Sequence, residues 1–137
     1  MLKVVVDANV WVSALINQGP PHKVVKAFKD DLFQAFYPSQ LLVELSDVLS
    51  RERLRPRLNP EQVPELLNLI ETKAILVAVD PTLSVSRDPK DNAYLACADA
   101  ANCDFLVTGD RKGLLYLVEY GTAKIVMAAE FLRILNW

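Results

Sequence analysis

A chain of 137 residues, 52% of them apolar, is long enough for one globular domain, spanning residues 1–137, that buries about two-thirds of the surface its unfolded form exposes. No apolar run approaches the roughly 18 residues of a membrane span, and Asp7 interrupts the opening MLKVVVDANVWVSALI where a signal peptide would keep an apolar core, so the sequence reads as a cytoplasmic protein with no membrane association. The formal net charge of −2 lacks the basic excess of a typical nucleic-acid binder, yet it leaves partners open, because carboxylates that hold cations lower the formal charge without repelling a phosphate.

Leu2 to Val6, rich in β-branched residues, predicts a central parallel strand buried on both faces, and it ends on Asp7. A carboxylate there either caps the helix that follows over Val10 to Ile16 or stands where open α/β sheets place their ligands. Gly19-Pro20-Pro21 stops that helix and starts a second, from Pro21 to about Leu32. Its Lys23, Lys26 and Lys29 form a solvated face. A strand follows over Phe33 to Tyr37.

Ser39 then caps a helix with Leu41, Leu42, Leu45, Val48 and Leu49 turned inward. At 100° per residue Glu44 falls at the edge of that apolar arc and Asp47 outside it. Glu44 there either snorkels to water or needs a cation, since an uncompensated buried charge is too costly to keep. The run Arg51-Glu52-Arg53-Leu54-Arg55-Pro56-Arg57 is locally basic and serves equally as a solvated loop or as a grip on a phosphate backbone. Beyond Asn59-Pro60, the stripe Val63, Leu66, Leu67, Ile70 and Ala74 predicts a helix, with Pro64 disturbing its first turn. Ala74 to Val79 reads as a third strand.

The richest stretch is RDPKDNAYLACADAANCDFLVTGD, from Arg87 to Asp110. Asp88 is a good N-cap, Pro89 fits the first helical position, and Asp91 falls in the first turn. Leu95, Ala96 and Ala98 give a small-residue face suited to close packing on a sheet, and Asn102 ends the helix. Asp104 to Thr108 predicts a short buried strand that Gly109 turns sharply into Asp110. Cys97 and Cys103 have neither metal-ligand spacing nor the number of a disulfide framework. After Arg111-Lys112-Gly113 come a short apolar segment over 114–118, a final strand around Lys124 to Met127, and a last helix from about Ala129 to Leu135.

Alternating strands and helices imply a three-layer α/β/α sandwich around a central parallel sheet of about five strands. Asp7 and Asp110 then share the carboxyl edge of the sheet. Two like charges about 4 Å apart repel by roughly 4 kcal/mol at an effective dielectric near 20, so acids gathered at that edge take up protons or hold cations. Oxygen-only ligands point to Mg²⁺ or Mn²⁺.

Four blocks now carry a resemblance: VVVDANVWVSAL, PSQLLVEL, RDPKDNAYLACA and FLVTGD. In this order, across nearly the whole chain, they resemble the PIN-domain family, and within it the VapC-like ribonucleases of prokaryotic toxin-antitoxin modules. The resemblance implies that Asp7, Glu44, Asp91 and Asp110 form an acidic quartet that binds divalent metal, supported by hydrogen bonds from Asn9 and Thr108, with Asp88 a frequent extra acid. It implies metal-dependent hydrolysis of RNA phosphodiesters, a small antitoxin protein as partner, and dimerisation. Arg51, Arg53, Arg55, Lys90, Arg111 and Lys112 are then candidate contacts to the RNA backbone. Asp99 has no match in the family pattern. The alternatives are a non-catalytic metal- or RNA-binding regulatory module acting through a protein partner, or a phosphotransfer protein. The second is weakened because Asp7-Ala8-Asn9 lacks the second aspartate of an Asp-x-Asp phosphatase and no paired acids open the chain.

Overall fold

The computed structural model describes residues 1–79, 89–109 and 117–137, with the backbone alone for Pro89 and Lys90. Its elements in chain order are β1 (Lys3–Val6), α1 (Ala8–Ile16), α2 (Pro20–Lys29), β2 (Gln34–Tyr37), α3 (Gln40–Leu49), a short 3-10 turn at Arg55–Arg57, α4 (Gln62–Lys73), β3 (Ile75–Leu76), α5 (Pro89–Ala100), β4 (Phe105–Val107), β5 (Glu119–Tyr120), β6 (Ala123–Val126) and α6 (Ala128–Ile134). The strands form one six-stranded sheet in the order β3-β2-β1-β4-β6-β5. Every neighbouring pair is parallel except β5 with β6.

The expected mostly parallel α/β sheet is therefore present, and it carries one strand more than the sequence announced. The extra strand is β5, two residues that turn back through Gly121-Thr122 to pair antiparallel with β6. Glu119 sits opposite Lys124 across that pair, a favourable cross-strand charge match. A two-residue strand is too short to show a period-2 pattern, so no local pattern marks it. At the other edge β3 is confined to Ile75–Leu76 and both residues are exposed. Keeping an edge strand this short limits the row of open backbone groups it presents.

Right-handed crossovers decide which helices share a face. The chain moves from β1 through α1 and α2 to β2, then returns past β1 through α5 to β4, so α5 lies on the face opposite α1 and α2. An aromatic chain fills the first face: Trp11 meets Phe28 edge-on at 5.6 Å, Phe28 lies 5.9 Å from Phe33, and Phe33 lies 5.1 Å from Phe131, which meets Phe105 at 5.8 Å. These rings tie α1, α2, α6 and β4 into one core and add packing specificity beyond the area they bury. The other face is built from small and apolar residues of α5, where Leu95, Cys97 and Ala98 are fully buried. Burial pushes both thiols up, Cys97 to about 12 and Cys103 to about 11, so they stay protonated and inert.

Helix ends follow the local chemistry. Asn102 stands just past α5 in the left-handed region at φ 51, which asparagine tolerates better than most residues. Asp31 at φ 60 ends α2 earlier than its apolar pattern suggested. Lys73, from the end of α4, donates to the carbonyl of Lys29 at 2.9 Å and pairs with Asp31 at 2.6 Å, so it closes the open carbonyl end of α2. In the β5–β6 turn, Gly121 has φ +60, and a Cβ built there would lie 2.5 Å from the carboxylate of Asp99. Gly121→Ala is expected to lower stability by about 1–2 kcal/mol, the cost of a left-handed alanine. Urea denaturation checks it, and an unchanged midpoint would contradict this reading of the turn.

Candidate functional site

The site begins with sheet topology. From β1 the chain adds β2 and β3 on one side, and β4 and β6 on the other, so the order reverses between β1 and β4. At such a switch point the following helices leave toward opposite faces and open a crevice beyond the strand ends. The register pairs Val6 with Val107, which sets Asp7 and Thr108, the next residues, side by side at the mouth of that crevice.

Asp7 is held from several directions. Its backbone N–H donates to Val107 O at 3.0 Å. Its Oδ1 accepts from the Val10 N–H at 3.1 Å, which caps α1, and its Oδ2 accepts from the Thr108 hydroxyl. Trp11 fixes the turn by donating from Nε1 to Val6 O at 3.0 Å. The two sequence readings of Asp7, helix cap and residue at a ligand edge, are thus met by the same carboxylate.

Tyrosine, tryptophan and cysteine apart, Asp7, Asp91 and Thr108 are the buried polar or charged side chains among the described residues, at 4%, 9% and 0% exposure. Asp91 lies in the first turn of α5, and Glu44 is partly buried in the middle of α3. Burial pushes the Asp7 carboxyl up to about 7. The hydrogen bonds from Thr108 and Val10 act the other way, and the charges of Asp91 and Glu44 add to the rise. Asp7, just past β1, therefore lies within the field of Glu44 on α3 and of Asp91 on α5. No lysine or arginine neutralises Asp7 among the described residues.

A buried carboxyl raised by desolvation and by two like charges is the situation a divalent cation relieves, and the donors present are carboxylate oxygens, which suit Mg²⁺ or Mn²⁺. Among the described residues no group of three His, Cys, Asp or Glu is drawn close enough to form a ready cage. Asp110, the fourth acid, lies outside the described residues, as do Asp88, Arg111 and Lys112. Of Lys90 only the backbone, in the first turn of α5, is described.

The remaining candidates are placed as follows. Asn9 is exposed in the first turn of α1, without a side-chain hydrogen bond among the described residues. Arg51, Arg53 and Arg55 are exposed beyond the end of α3, and Arg51 pairs with Asp47 at 3.2 Å. Asp99 is exposed on α5 against Gly121 of the hairpin turn. A cavity of about 650 Å³ between α1, α2 and α4, lined by His22, Lys26, Lys29 and Leu66 among others, includes none of Asp7, Glu44 and Asp91 in its described lining. Concavity alone does not mark the acidic crevice.

Tyr94 is the residue the sequence reading missed. It lies one turn after Asp91 on the same face of α5, is 2% exposed, and donates from its hydroxyl to Glu44 Oε1 at 3.0 Å. The signal was the three-residue spacing from an acid within an apolar stripe, a pattern that also describes an ordinary core tyrosine.

Together these features define a mostly parallel α/β protein with buried acids converging beyond the carboxyl ends of its two central strands. The chain belongs to the PIN domain family, whose model matches residues 3–112. PIN domains are generally nucleases, typically dependent on divalent metal. The chain is 27% identical over 112 residues to the uncharacterized protein MJ1680 of Methanocaldococcus jannaschii, a match that covers 80% of this chain and 72% of that one. Its fold is similar to the crystal structure of PAE2754 from Pyrobaculum aerophilum, with a TM-score of 0.62 at 16% identity, covering 98% of this chain and 90% of that chain. It is also similar to the crystal structure of VapBC2 from Rickettsia felis bound to a DNA fragment from their promoter, with a TM-score of 0.58 at 16% identity, covering 90% of this chain and 98% of that one. No described helix is long and apolar enough to cross a membrane.

Proposed function

We propose that this protein is a divalent-metal-dependent endoribonuclease and the toxin of a toxin-antitoxin pair, with Asp7, Glu44, Asp91 and Asp110 as the acids that hold Mg²⁺ or Mn²⁺. The observation that carries the proposal is the state of Asp7: buried at the sheet's switch point, with Glu44 and Asp91 raising its pKa further and no cation beside it among the described residues. Such a carboxyl destabilises the folded chain when ionised, so its retention calls for a positively charged ligand. The family supports nuclease activity in general. The likeness to VapBC2 favours a small antitoxin as partner.

The chain's own residues supply orientation. Thr108 and the Val10 N–H hold the two oxygens of Asp7 so that its position is set before any ligand arrives. When bound, the metal lowers the pKa of an attacking water and neutralises charge at the scissile phosphate. Arg51, Arg53, Arg55, Lys90, Arg111 and Lys112 are the cations proposed to meet the RNA backbone, without reading its bases.

Digestion of a mixed RNA substrate by the purified protein tests the reading. Cleavage is expected with Mn²⁺ or Mg²⁺, to stop on adding a chelator, and to return when the metal is restored. Metal-independent cleavage, or none under any of these conditions, would count against it.

A further inference from the structure

The tyrosine beside the acids has a role that ordinary core packing does not explain. A core phenol needs a partner for its hydroxyl, and backbone carbonyls are the commonest choice. Tyr94 instead gives its hydroxyl to a carboxylate on a neighbouring helix, beside the acids. Its ring is buried in α5, one turn from Asp91. Its hydroxyl donates to Glu44 Oε1 on α3 at 3.0 Å.

We infer that Tyr94 is a positioning residue that fixes the Glu44 carboxylate over the crevice and ties its orientation to the turn of α5 that follows Asp91. Glu44 has three rotatable side-chain bonds and is only partly buried, so a donor fixed in the core narrows the rotamers its carboxylate samples. A phenol hydroxyl, with an ordinary pKa of about 10, is a neutral O–H donor near neutral pH. One hydroxyl thus registers α3 against α5 at the positions of Glu44 and Asp91. Outer hydrogen-bond partners of metal ligands act this way, orienting a ligand they do not replace.

This inference rests on the metal-site reading above. Its test is calorimetric titration of Mn²⁺ into wild type, Tyr94→Phe, Glu44→Gln and the double variant, with the metal-free melting temperature of each. Phe keeps the ring and removes only the hydroxyl. Tyr94→Phe is expected to weaken Mn²⁺ binding about 10–100-fold in the wild-type background and to add little in the Glu44→Gln background, because its effect passes through Glu44. Unchanged affinity in Tyr94→Phe overturns the inference and leaves the metal site standing. Equal losses in both backgrounds also overturn it, since a merely structural tyrosine behaves that way. A wild-type protein that binds no Mn²⁺ overturns the inference and the metal-site reading together. If Tyr94→Phe does not fold, Tyr94→Met, which keeps an apolar filler and lacks the donor, gives the same comparison.

Discussion

Asp91→Asn is expected to cut metal-dependent RNA cleavage by at least about 10²-fold, since loss of an outer partner of a metal ligand already costs roughly 10–100-fold and loss of a ligand carboxylate costs no less. The substitution is nearly isosteric, and position 91 lies in a first helical turn, where asparagine is tolerated. It removes one negative charge from the field on Asp7. A cooperative melting transition kept by the metal-free variant separates a lost site from a lost fold. Cleavage of a standard RNA by the two purified proteins at equal Mn²⁺ is the check, alongside thermal denaturation in chelator. Cleavage at the wild-type rate would remove Asp91 from the site.

Asp7→Asn is expected to abolish cleavage while stabilising the metal-free protein above neutral pH. The sign follows from the shift itself. Asp7 has a folded value near 7 against an ordinary 3.8, so between those values the folded chain binds more protons than the unfolded one. Stability from this group is complete below about pH 4, is lost as pH rises toward 7, and is fully lost above it. At 1.36 kcal/mol per pKa unit the loss is on the order of a few kcal/mol. Asparagine keeps an oxygen to accept from Val10, and the Thr108 hydroxyl can turn to accept from the new amide. The variant's advantage should therefore appear at about pH 8 and vanish near pH 4. Urea titrations of both proteins in chelator at the two pH values measure it. A variant less stable than wild type at pH 8 would mean that the ionised carboxylate is compensated inside the fold.

These two residues show how far the sequence reached. A β-branched run ending on an acid foretold β1 and Asp7, because a strand buried on both faces leaves a distinctive apolar signature. Pro89 marked the start of α5 and placed Asp91 in its first turn, since proline fits where a helix lacks backbone acceptors. Helical periodicity put Glu44 at the edge of an apolar arc, and it is partly buried there. What stayed hidden depends on contacts far apart in the chain. The resemblance pointed to Thr108 as a hydrogen-bonding support, but which acid it meets follows from β4 pairing with β1, and strand order cannot be read from local pattern. The Tyr94 hydroxyl meets Glu44 at a separation of 50 positions, on a tyrosine that resembles core until its partner is known. The β5 hairpin escaped because two residues carry no period. The exposed arginines past α3 gave a local charge pattern and nothing about which surface meets RNA.

The measurement closest to the central claim is a Mn²⁺ titration of the wild-type protein by calorimetry at about pH 6 and about pH 8, in buffers of different ionisation enthalpy. Metal and proton compete for the same buried carboxyl, so binding should be weaker at the lower pH and release protons there, with little release at the higher. Both Asp7→Asn and Asp91→Asn should abolish it. Mn²⁺ binding of equal strength at the two pH values and untouched by either substitution, or no binding at all, would contradict the account.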